Sequence, residues 1–317
     1  MKFTITDLAS ANHQITNAVK FEMQKKIYEP YTSVNIVFPV SERIGAMKLS
    51  VYDDDNNQIF EGNADKVYTY IDDSGKYMDI TARSKGALLA DNESIPKIFP
   101  HNTYVMDYYQ TYIQPYGVSY KTSLNASTLL QTATYKGMSE WEALATIVLF
   151  SYGCTPDVDE EDNIVFAPGF LTTTHTFSNS VSNGIKFSYL CYKDNRDKRY
   201  SSIWGISEAT EEYVSMASNS TESSEQINRR KLMDYPNLQE PSTMQLCGYE
   251  LKQCNAGTRA YTVRVPGYKS LLTWEKATIN DTVFGNVSDL FITSVKHVID
   301  QNGEYTEAEL WPTSSKY

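Results

Sequence analysis

Alternation of apolar and polar residues over short stretches dominates the first 85 residues of the chain. A period of two is typical of half-buried β-strands. Tight polar turns, such as Asp-Asp-Asp-Asn-Asn at residues 53–57, separate these stretches. The strands predicted from this pattern are residues 34–38, 47–52, 58–62, 67–71 and 76–82. Several strands at such short spacing favour an antiparallel sheet or a small barrel.

The pattern becomes helical in the middle of the chain. The clearest helix begins at Ser139, which with Glu142 has the spacing of a capping box, and ends at Gly153. Residues 155–159 and 163–166 then predict a small hairpin across an acidic turn. The shorter helices predicted before it are residues 84–89 and 103–113.

Strand signals return after residue 180. Residues 206–240 are polar and weakly periodic, so they predict a loop or an insertion. The strongest local signal is Asn302-Gly303 between the alternating residues 290–299 and 305–311, which is typical of a β-hairpin. The other elements predicted are strands at residues 185–189, 200–205 and 261–265 and a helix at residues 242–253. The residues therefore predict two small β parts separated by a mixed helical module.

The chain is acidic and has no long apolar segment. Its 28 Lys and Arg residues against 39 Asp and Glu residues give a net charge of −11. Binding to nucleic-acid phosphates needs a positive stripe, so stable nucleic-acid binding is not expected. The longest apolar stretch, residues 143–150, is too short to span a bilayer, and the first residues lack the apolar core of a secretory signal. Neither membrane insertion nor secretion is therefore expected.

Metal and cofactor sites are not predicted either. Two acidic runs, residues 53–57 and 157–162, resemble calcium loops, but both lack Gly at the sixth position and Glu at the twelfth. We interpret both as solvated turns, with adventitious cation binding as the alternative. No Gly-rich phosphate loop and no Cys-x-x-Cys or His-Glu-x-x-His motif is present. The scattered cysteines, which we expect to be free thiols in a reducing compartment, are Cys154, Cys191, Cys247 and Cys254.

Paired carboxylates are the remaining catalytic candidates, because a pair can hydrolyse a glycan. Glu140 with Glu142 and Glu211 with Glu212 are such pairs. The structural interpretation for the first pair is a helix cap at Glu142 and a favourable first-turn charge at Glu140. Taken alone, the residues predict no enzyme.

Three groups of motifs, in order along the chain, resemble the baseplate hub proteins of phage tails, the late-control-D-like family of contractile tails and related prophage particles. They are residues 57–62 followed by 77–84, residues 136–141 through 153 with 163–166, and residues 265–268, 288–297 and 302–310. The first group resembles the first barrel of the family running into its connector, the second its small helix-plus-hairpin module, and the third its closing barrel. Each motif is weak alone, and their order carries the resemblance.

The resemblance implies a mainly β fold with α+β parts: two tube-like antiparallel β-barrel domains and a small helix-and-hairpin module. The corresponding domains are residues 1–88, residues 89–180, and residues 181–317 with a polar insertion near 206–240. Stretch 206–240 has no counterpart in the family, which leaves the boundaries of the second barrel open.

The function implied by the resemblance is structural. Family members assemble as homotrimers in which six barrels surround a channel and join the six-fold tail tube to the three-fold spike. The expected partners are the tail tube protein, the spike protein and other baseplate proteins, with DNA only passing through the channel. The expected location is the baseplate of a phage, defective prophage or tail-like bacteriocin particle, assembled in the bacterial cytoplasm. No cofactor and no enzymatic activity are implied.

Two other functions remain open at this point. A carbohydrate- or receptor-binding tail module would need an exposed aromatic platform, and a peptidoglycan hydrolase would need two carboxylates in a cleft and a raised pKa. For a hub, the interface residues predicted are Asp53, Asp54 and Asp55 in a barrel-rim turn and Tyr68 and Tyr70 on the next strand. Plain exposure of the turn and core packing of the strand are the alternatives.

Overall fold

The computed structural model describes residues 1–99, 103–121, 134, 136–207, 213–235 and 240–317. The chain divides into two compact units. Unit 1 contains residues 1–173, 264–275 and 293–308, and unit 2 contains residues 174–263, 276–292 and 309–317. The predicted domain limits near residues 88 and 180 stay a prediction.

Unit 1 begins with seven antiparallel strands. They are β1 (Lys2–Asp7), β2 (Asn12–Ile15), β3 (Lys20–Lys26), β4 (Thr32–Pro39), β5 (Ala46–Tyr52), β6 (Gln58–Asp72) and β7 (Gly75–Arg83). Their hydrogen-bonded order is β3-β4-β7-β6-β5-β1-β2. Alternate side chains of these strands form an apolar core that includes Phe21, Ile36, Phe38, Leu49 and Ile80. The strands predicted at residues 34–38, 47–52 and 76–82 are confirmed as β4, β5 and β7, and those predicted at 58–62 and 67–71 form one strand, β6. Burial alternates along β4 and β7, whereas three consecutive residues of β5 are buried and no residue of β6 after Gly62 is.

A mixed module follows within unit 1. Its elements are α1 (Ala87–Asp91), α2 (Val105–Tyr108), β8 (Ser119–Lys121), α3 (Glu140–Tyr152), β9 (Asp157–Val158) and β10 (Asn163–Val165). Helix α3 begins with the predicted capping box, because Ser139 Oγ accepts from the Glu142 amide and the Glu142 carboxylate accepts from the Ser139 amide. Its end is at Gly153, whose φ of 69° is left-handed. The predicted hairpin is β9–β10.

Unit 2 contains a separate three-stranded sheet and further strands. Its elements are β11 (Thr174–Phe177), β12 (Tyr189–Asp194), β13 (Ser202–Ser207), β14 (Tyr213–Ser218), α4 (Ser220–Ser224), β15 (Arg230–Tyr235), α5 (Glu240–Asn255), β16 (Arg259–Pro266) and β17 (Lys276–Asp281). Strands β14, β13 and β15 form the separate sheet, and β11 and β17 pair in parallel. A small core of Ile203, Cys247 and Leu251 joins this sheet to α5.

Two long strands complete the chain and form the predicted Asn-Gly hairpin: β18 (Gly285–Asp300) and β19 (Gly303–Pro312). In unit 2, β18 pairs with β17, and in unit 1 it pairs with β3 in the register Ser294↔Lys26. Strands β16, β18 and β19 each contribute residues to both units.

Most of the predicted elements are confirmed, and the fold is mainly β with few helices, as predicted. Two predictions are wrong. Residues 185–189 make only an isolated bridge from Ile185 to Phe177, and the strand begins at Tyr189. The polar stretch 206–240 contains two strands and a short helix within its described part, because β14 and β15 pair with β13.

Candidate functional site

The acidic turn, residues 53–57, joins β5 to β6 on the surface of unit 1. Asp53 accepts hydrogen bonds from the Asn57 amide at 2.8 Å and from its Nδ2 at 3.0 Å, and these bonds hold the pKa of Asp53 below its ordinary value. Asp54 accepts from the N-terminal ammonium at 2.7 Å, although its side chain is 79% exposed. The turn is therefore both exposed and locally ordered.

The two predicted interface tyrosines lie further along β6, on the exposed β6–β7 hairpin (residues 66–77). Tyr68 is 58% exposed, Tyr70 40% and the neighbouring Ile71 73%. Tyr70 stacks on Tyr77 across the hairpin, with ring centroids 5.7 Å apart. Asp72 closes the turn by accepting hydrogen bonds from the Ser74 and Gly75 amides. The alternative interpretation, core packing of this strand, does not hold for Tyr68 and Tyr70.

Strand β6 changes its partner halfway along its length. It pairs with β5 over residues 58–63 and with β7 over residues 63–72. Beyond Asn63, one edge of β6 therefore has no strand partner among the described residues. An exposed strand edge with free backbone groups readily pairs with another chain.

The structure does not bring the two parts of the predicted interface together. The acidic turn precedes Gln58, and Tyr68 lies ten residues further along the same strand. At about 3.3 Å per residue, this places them roughly 33 Å apart along β6. They are therefore two separate candidate contact surfaces, and their role in an interface stays a prediction.

A buried carboxylate organises the module at the start of β9. Asp157 is 2% exposed and accepts hydrogen bonds from Trp274 Nε1 at 2.6 Å, from the Tyr28 amide at 2.9 Å and from the Val158 amide at 2.9 Å. Burial raises the pKa of Asp157, and the nearby charge of Lys25 opposes that rise. The interpretation of residues 157–162 as a solvated turn is therefore wrong at Asp157.

Two residues beside this carboxylate have strained backbones. Tyr28 has φ of 64° and Trp274 has φ of 69°, a region that bulky residues rarely adopt. Their rings meet edge to face with centroids 5.5 Å apart, and Trp141 Nε1 donates to the Tyr28 carbonyl at 3.0 Å. Such strain persists only where the surroundings over-determine it. The hydrogen bonds of Asp157 thus hold three segments together at one joint: the residues after β3, the start of β9, and residues 268–275.

A cavity of about 240 Å³ lies in unit 1 next to this joint. Its lining includes Lys25, Gln58, Glu160, Tyr268, Thr273 and His297. Lys25 is 7% exposed, and its ammonium has no hydrogen-bond partner among the described residues. Glu160 is an exposed residue, although the surrounding protein partly desolvates its carboxyl group and so raises its pKa. The second carboxylate of the lining, Glu161, is exposed and accepts from Lys121 at 2.7 Å. The cavity therefore has one carboxyl group with a raised pKa, while its second carboxylate is held in a surface ion pair with Lys121.

His297 is expected to stay neutral well into the acid range. It is 6% exposed, and burial lowers its pKa to about 4. The Thr306 hydroxyl donates to the Gly267 carbonyl at 2.9 Å, so it accepts from His297 Nδ1 at 3.1 Å, which assigns the proton to Nδ1. NMR titration of the ring C2 proton measures this pKa, and a value near 6.5 would contradict the buried, neutral assignment.

The free energy of unfolding should depend on pH through the same histidine. The unfolded histidine binds a proton near pH 6.5 and the folded one only near pH 4, so stability is lost as the pH falls from about 6.5 towards 4. The full loss is on the order of 3 kcal/mol. Urea titrations at several pH values should show this slope in the unmodified chain and a shallower slope in His297→Leu.

The carboxylate pair on α3 is structural. Glu140 is 4% exposed and accepts from the Tyr108 hydroxyl at 2.8 Å, and burial raises the pKa of both groups. Both lie in the first turn of α3 as predicted: Glu142 makes the cap, and Glu140 is in addition buried against Tyr108. Glu211 and Glu212 lie outside the described residues.

The remaining candidates are the cysteines, possible metal ligands and membrane-spanning helices. All four cysteines are thiols rather than disulfides, and burial raises the pKa of Cys247 and Cys254. Over the described ranges, no three His, Cys, Asp or Glu side chains converge as metal ligands would. None of the helices described above is long and apolar enough to cross a membrane.

Comparison with known proteins identifies the fold. No protein-family model matches the sequence, and no curated protein matches it. Among solved structures, a tail protein from Neisseria meningitidis MC58 superposes with a TM-score of 0.73 over 99% of this chain and 98% of its own, at 15% identity. The 43 kDa tail protein of prophage MuSo2 from Shewanella oneidensis gives 0.74 over 100% and 99%, at 12% identity.

The chain has the fold of phage tail proteins. A type VI secretion component from Escherichia coli, described as structurally similar to the bacteriophage T4 tail proteins gp27 and gp5, is also similar. It covers 98% of this chain and 77% of its own length, with a TM-score of 0.57 and 11% identity. The resemblance to tail proteins found in the sequence is thus confirmed at the level of the fold.

Proposed function

We propose that this chain is a structural hub of a phage tail or tail-like particle. In this proposal, three copies form a ring around a central channel and join the six-fold tail tube to the three-fold spike. The observation that carries the proposal is the match to two tail proteins over nearly the full length of both chains. Its partners are the tube protein, the spike protein and other baseplate proteins, and its location is the assembled particle.

The unpaired edge of β6 supports the assembly part of the proposal. Pairing sheet edges between subunits removes exposed backbone groups, and closed point-group symmetry is the usual outcome. Tyr68 and Tyr70 suit a contact surface, because tyrosine offers large contact area with a polar tip. Three chains together carry 3 × −11 = −33 charges. We infer that part of this acidity faces the channel and keeps passing DNA from binding, and a basic channel wall in a trimer structure would refute that inference.

No catalytic step belongs to this proposal. The α3 carboxylates have structural partners, and the cavity beside Asp157 offers a single raised-pKa carboxyl group. A peptidoglycan hydrolase would release reducing sugar from purified cell wall. We expect none from this chain, and release that Glu160→Gln abolishes would overturn the non-enzymatic assignment.

Negative-stain electron microscopy tests the hub directly. End-on class averages of the purified chain, alone and with tube and spike proteins, should show a ring with three-fold symmetry, six lobes and a central hole. Compact single chains under every one of these conditions would refute the proposal.

Replacing Tyr68 and Tyr70 together by serine should shift the chain from ring to monomer. Loss of two interface tyrosines costs about 1–2 kcal/mol each at a well-packed contact, which weakens association by roughly tenfold per residue. Sedimentation velocity measures the shift. Leu8→Ser is the matched control, because Leu8 is an apolar residue of unit 1 that is 76% exposed and outside β6. An unchanged ring in the double variant would exclude the tyrosines from the interface.

A further inference from the structure

Unit 2 contains an open pocket beside a pair of tyrosine rings. The pocket has a volume of about 360 Å³ and is lined by Tyr192, Arg259, Tyr261, Asp289, Thr313 and Ser314, among others. The rings of Tyr192 and Tyr261 lie 4.8 Å apart at 37°, and Phe284 contacts Tyr261 edge-on at 6.2 Å. Tyr261 thus contacts two rings, and Tyr192, which lines the pocket, is 42% exposed.

A strained bulge places a carboxylate in the same pocket. Strand β17 pairs Ala277 with Leu290 and Ile279 with Val287, so two residues of β18, Ser288 and Asp289, lie opposite one residue of β17. Asp289 has φ of 57°, in the left-handed region that glycine normally adopts at such a bulge. Ser288 Oγ donates to Asp289 Oδ2 at 3.1 Å. Bulges re-aim side chains, and aspartate is one of the few residues besides glycine that tolerate this region, so the bulge can present a carboxylate at the pocket.

We propose that this pocket binds a sugar ring stacked on Tyr192, with Asp289 accepting hydrogen bonds from its hydroxyl groups. The volume lies in the range of small-ligand pockets, which combine apolar or aromatic walls with a few polar groups. Ser288, Thr313 and Ser314 add hydroxyl groups to the rim. A sugar presents an apolar ring face and several hydroxyls, which matches this lining. Arg259 on the same lining is paired with Glu225, so Asp289 is the charged group available to the ligand.

The proposal is independent of the hub function, since a structural hub needs no sugar site. It requires only binding, and no bond in the sugar is broken. Strand β12, which carries Tyr192, also offers a control residue. Tyr189 is 47% exposed and lies three residues before Tyr192, so it faces the opposite side of the strand.

Saturation-transfer NMR on the full chain tests the site with two neutral probes, chitotriose and maltotriose. We expect at least one probe to bind with a millimolar Kd. Tyr192→Ala should weaken that binding by about tenfold or more, as loss of a stacking surface implies, and Tyr189→Ala should leave it unchanged. Absence of binding by both probes, or equal loss in both variants, would overturn the proposal.

Asp289→Gly separates ligand binding from folding. Glycine relieves the left-handed strain and removes the carboxylate, so the melting temperature should stay the same or rise while sugar binding is lost. Retained binding in Asp289→Gly would exclude the carboxylate and overturn the proposal. Binding of trilysine but of neither sugar would also overturn it, in favour of a basic peptide ligand.

Discussion

Replacing Arg199 by alanine should lower the free energy of unfolding by about 3–5 kcal/mol, because it removes the main cation of an ion-pair network that contains the buried Glu222. Arg199 is fully buried, and its guanidinium lies 2.8 Å from both Glu222 and Glu225 and 3.0 Å from Asp194. Glu222 is itself buried, so in the variant its charge would depend on Arg259, 3.6 Å away, rather than on water. Urea titration followed by circular dichroism measures the change.

A matched arginine provides the control for this prediction. Arg196 is 60% exposed and makes only long ion pairs, 3.9 Å to Asp194 and 3.7 Å to Glu225. Arg196→Ala should therefore change stability by less than about 1 kcal/mol. The double variant Arg199→Met with Glu222→Leu should recover much of the loss, since apolar residues can replace a buried pair. Equal free energies of unfolding for Arg199→Ala and Arg196→Ala would show that the buried ion-pair network does not stabilise the fold.

Replacing Asp157 by alanine should destabilise the chain by a similar amount, about 3–5 kcal/mol. The change removes the acceptor of the Trp274 and Tyr28 N–H groups and a charge near Lys25. It also removes the hydrogen bonds that hold the left-handed backbones of Tyr28 and Trp274 in place. Urea titration gives the free energy, and fluorescence of the tryptophans reports on the environment of Trp274.

Two further variants, Asp157→Asn and Glu161→Ala, test whether the loss of stability is specific to the Asp157 carboxylate. Asp157→Asn should fall between the native chain and alanine, because an amide offers one acceptor oxygen where three donors converge. Glu161→Ala should cost less than about 1 kcal/mol, since Glu161 is 74% exposed and pairs only with surface groups such as Lys121. Equal stability of Asp157→Ala and Glu161→Ala would contradict the assigned role of Asp157.

The sequence predicts those parts of the fold in which local chemistry agrees with tertiary packing. The capping box of α3 and the Asn-Gly turn between β18 and β19 are set by neighbouring residues, so a local pattern identifies them. Strands β14 and β15 are different, because Ser215 on β14 is buried while the apolar Met216 and Leu232 are exposed. Side-chain polarity therefore does not mark the buried face, and only pairing with β13 defines these segments as strands.

The candidate sites divide in the same way. The exposure of the acidic turn follows from its composition, and the sequence locates it correctly. The burial of Asp157 depends on Trp274, 117 residues away, so an acidic run gives no local sign of it. The strained bulge at Asp289 arises from the register between β17 and β18, which periodicity alone does not define.

The pairing of β3 with β18 has a consequence for synthesis of the protein. Gln24 and Ser294, which bond across these strands, are 270 residues apart. At roughly 5–20 residues per second, the ribosome takes on the order of tens of seconds to deliver the second strand after the first. Throughout that time, β3 presents a free edge in the cell. We therefore expect that the chain completes unit 1 only near the end of translation, and that slow non-local pairing makes its yield depend on chaperones.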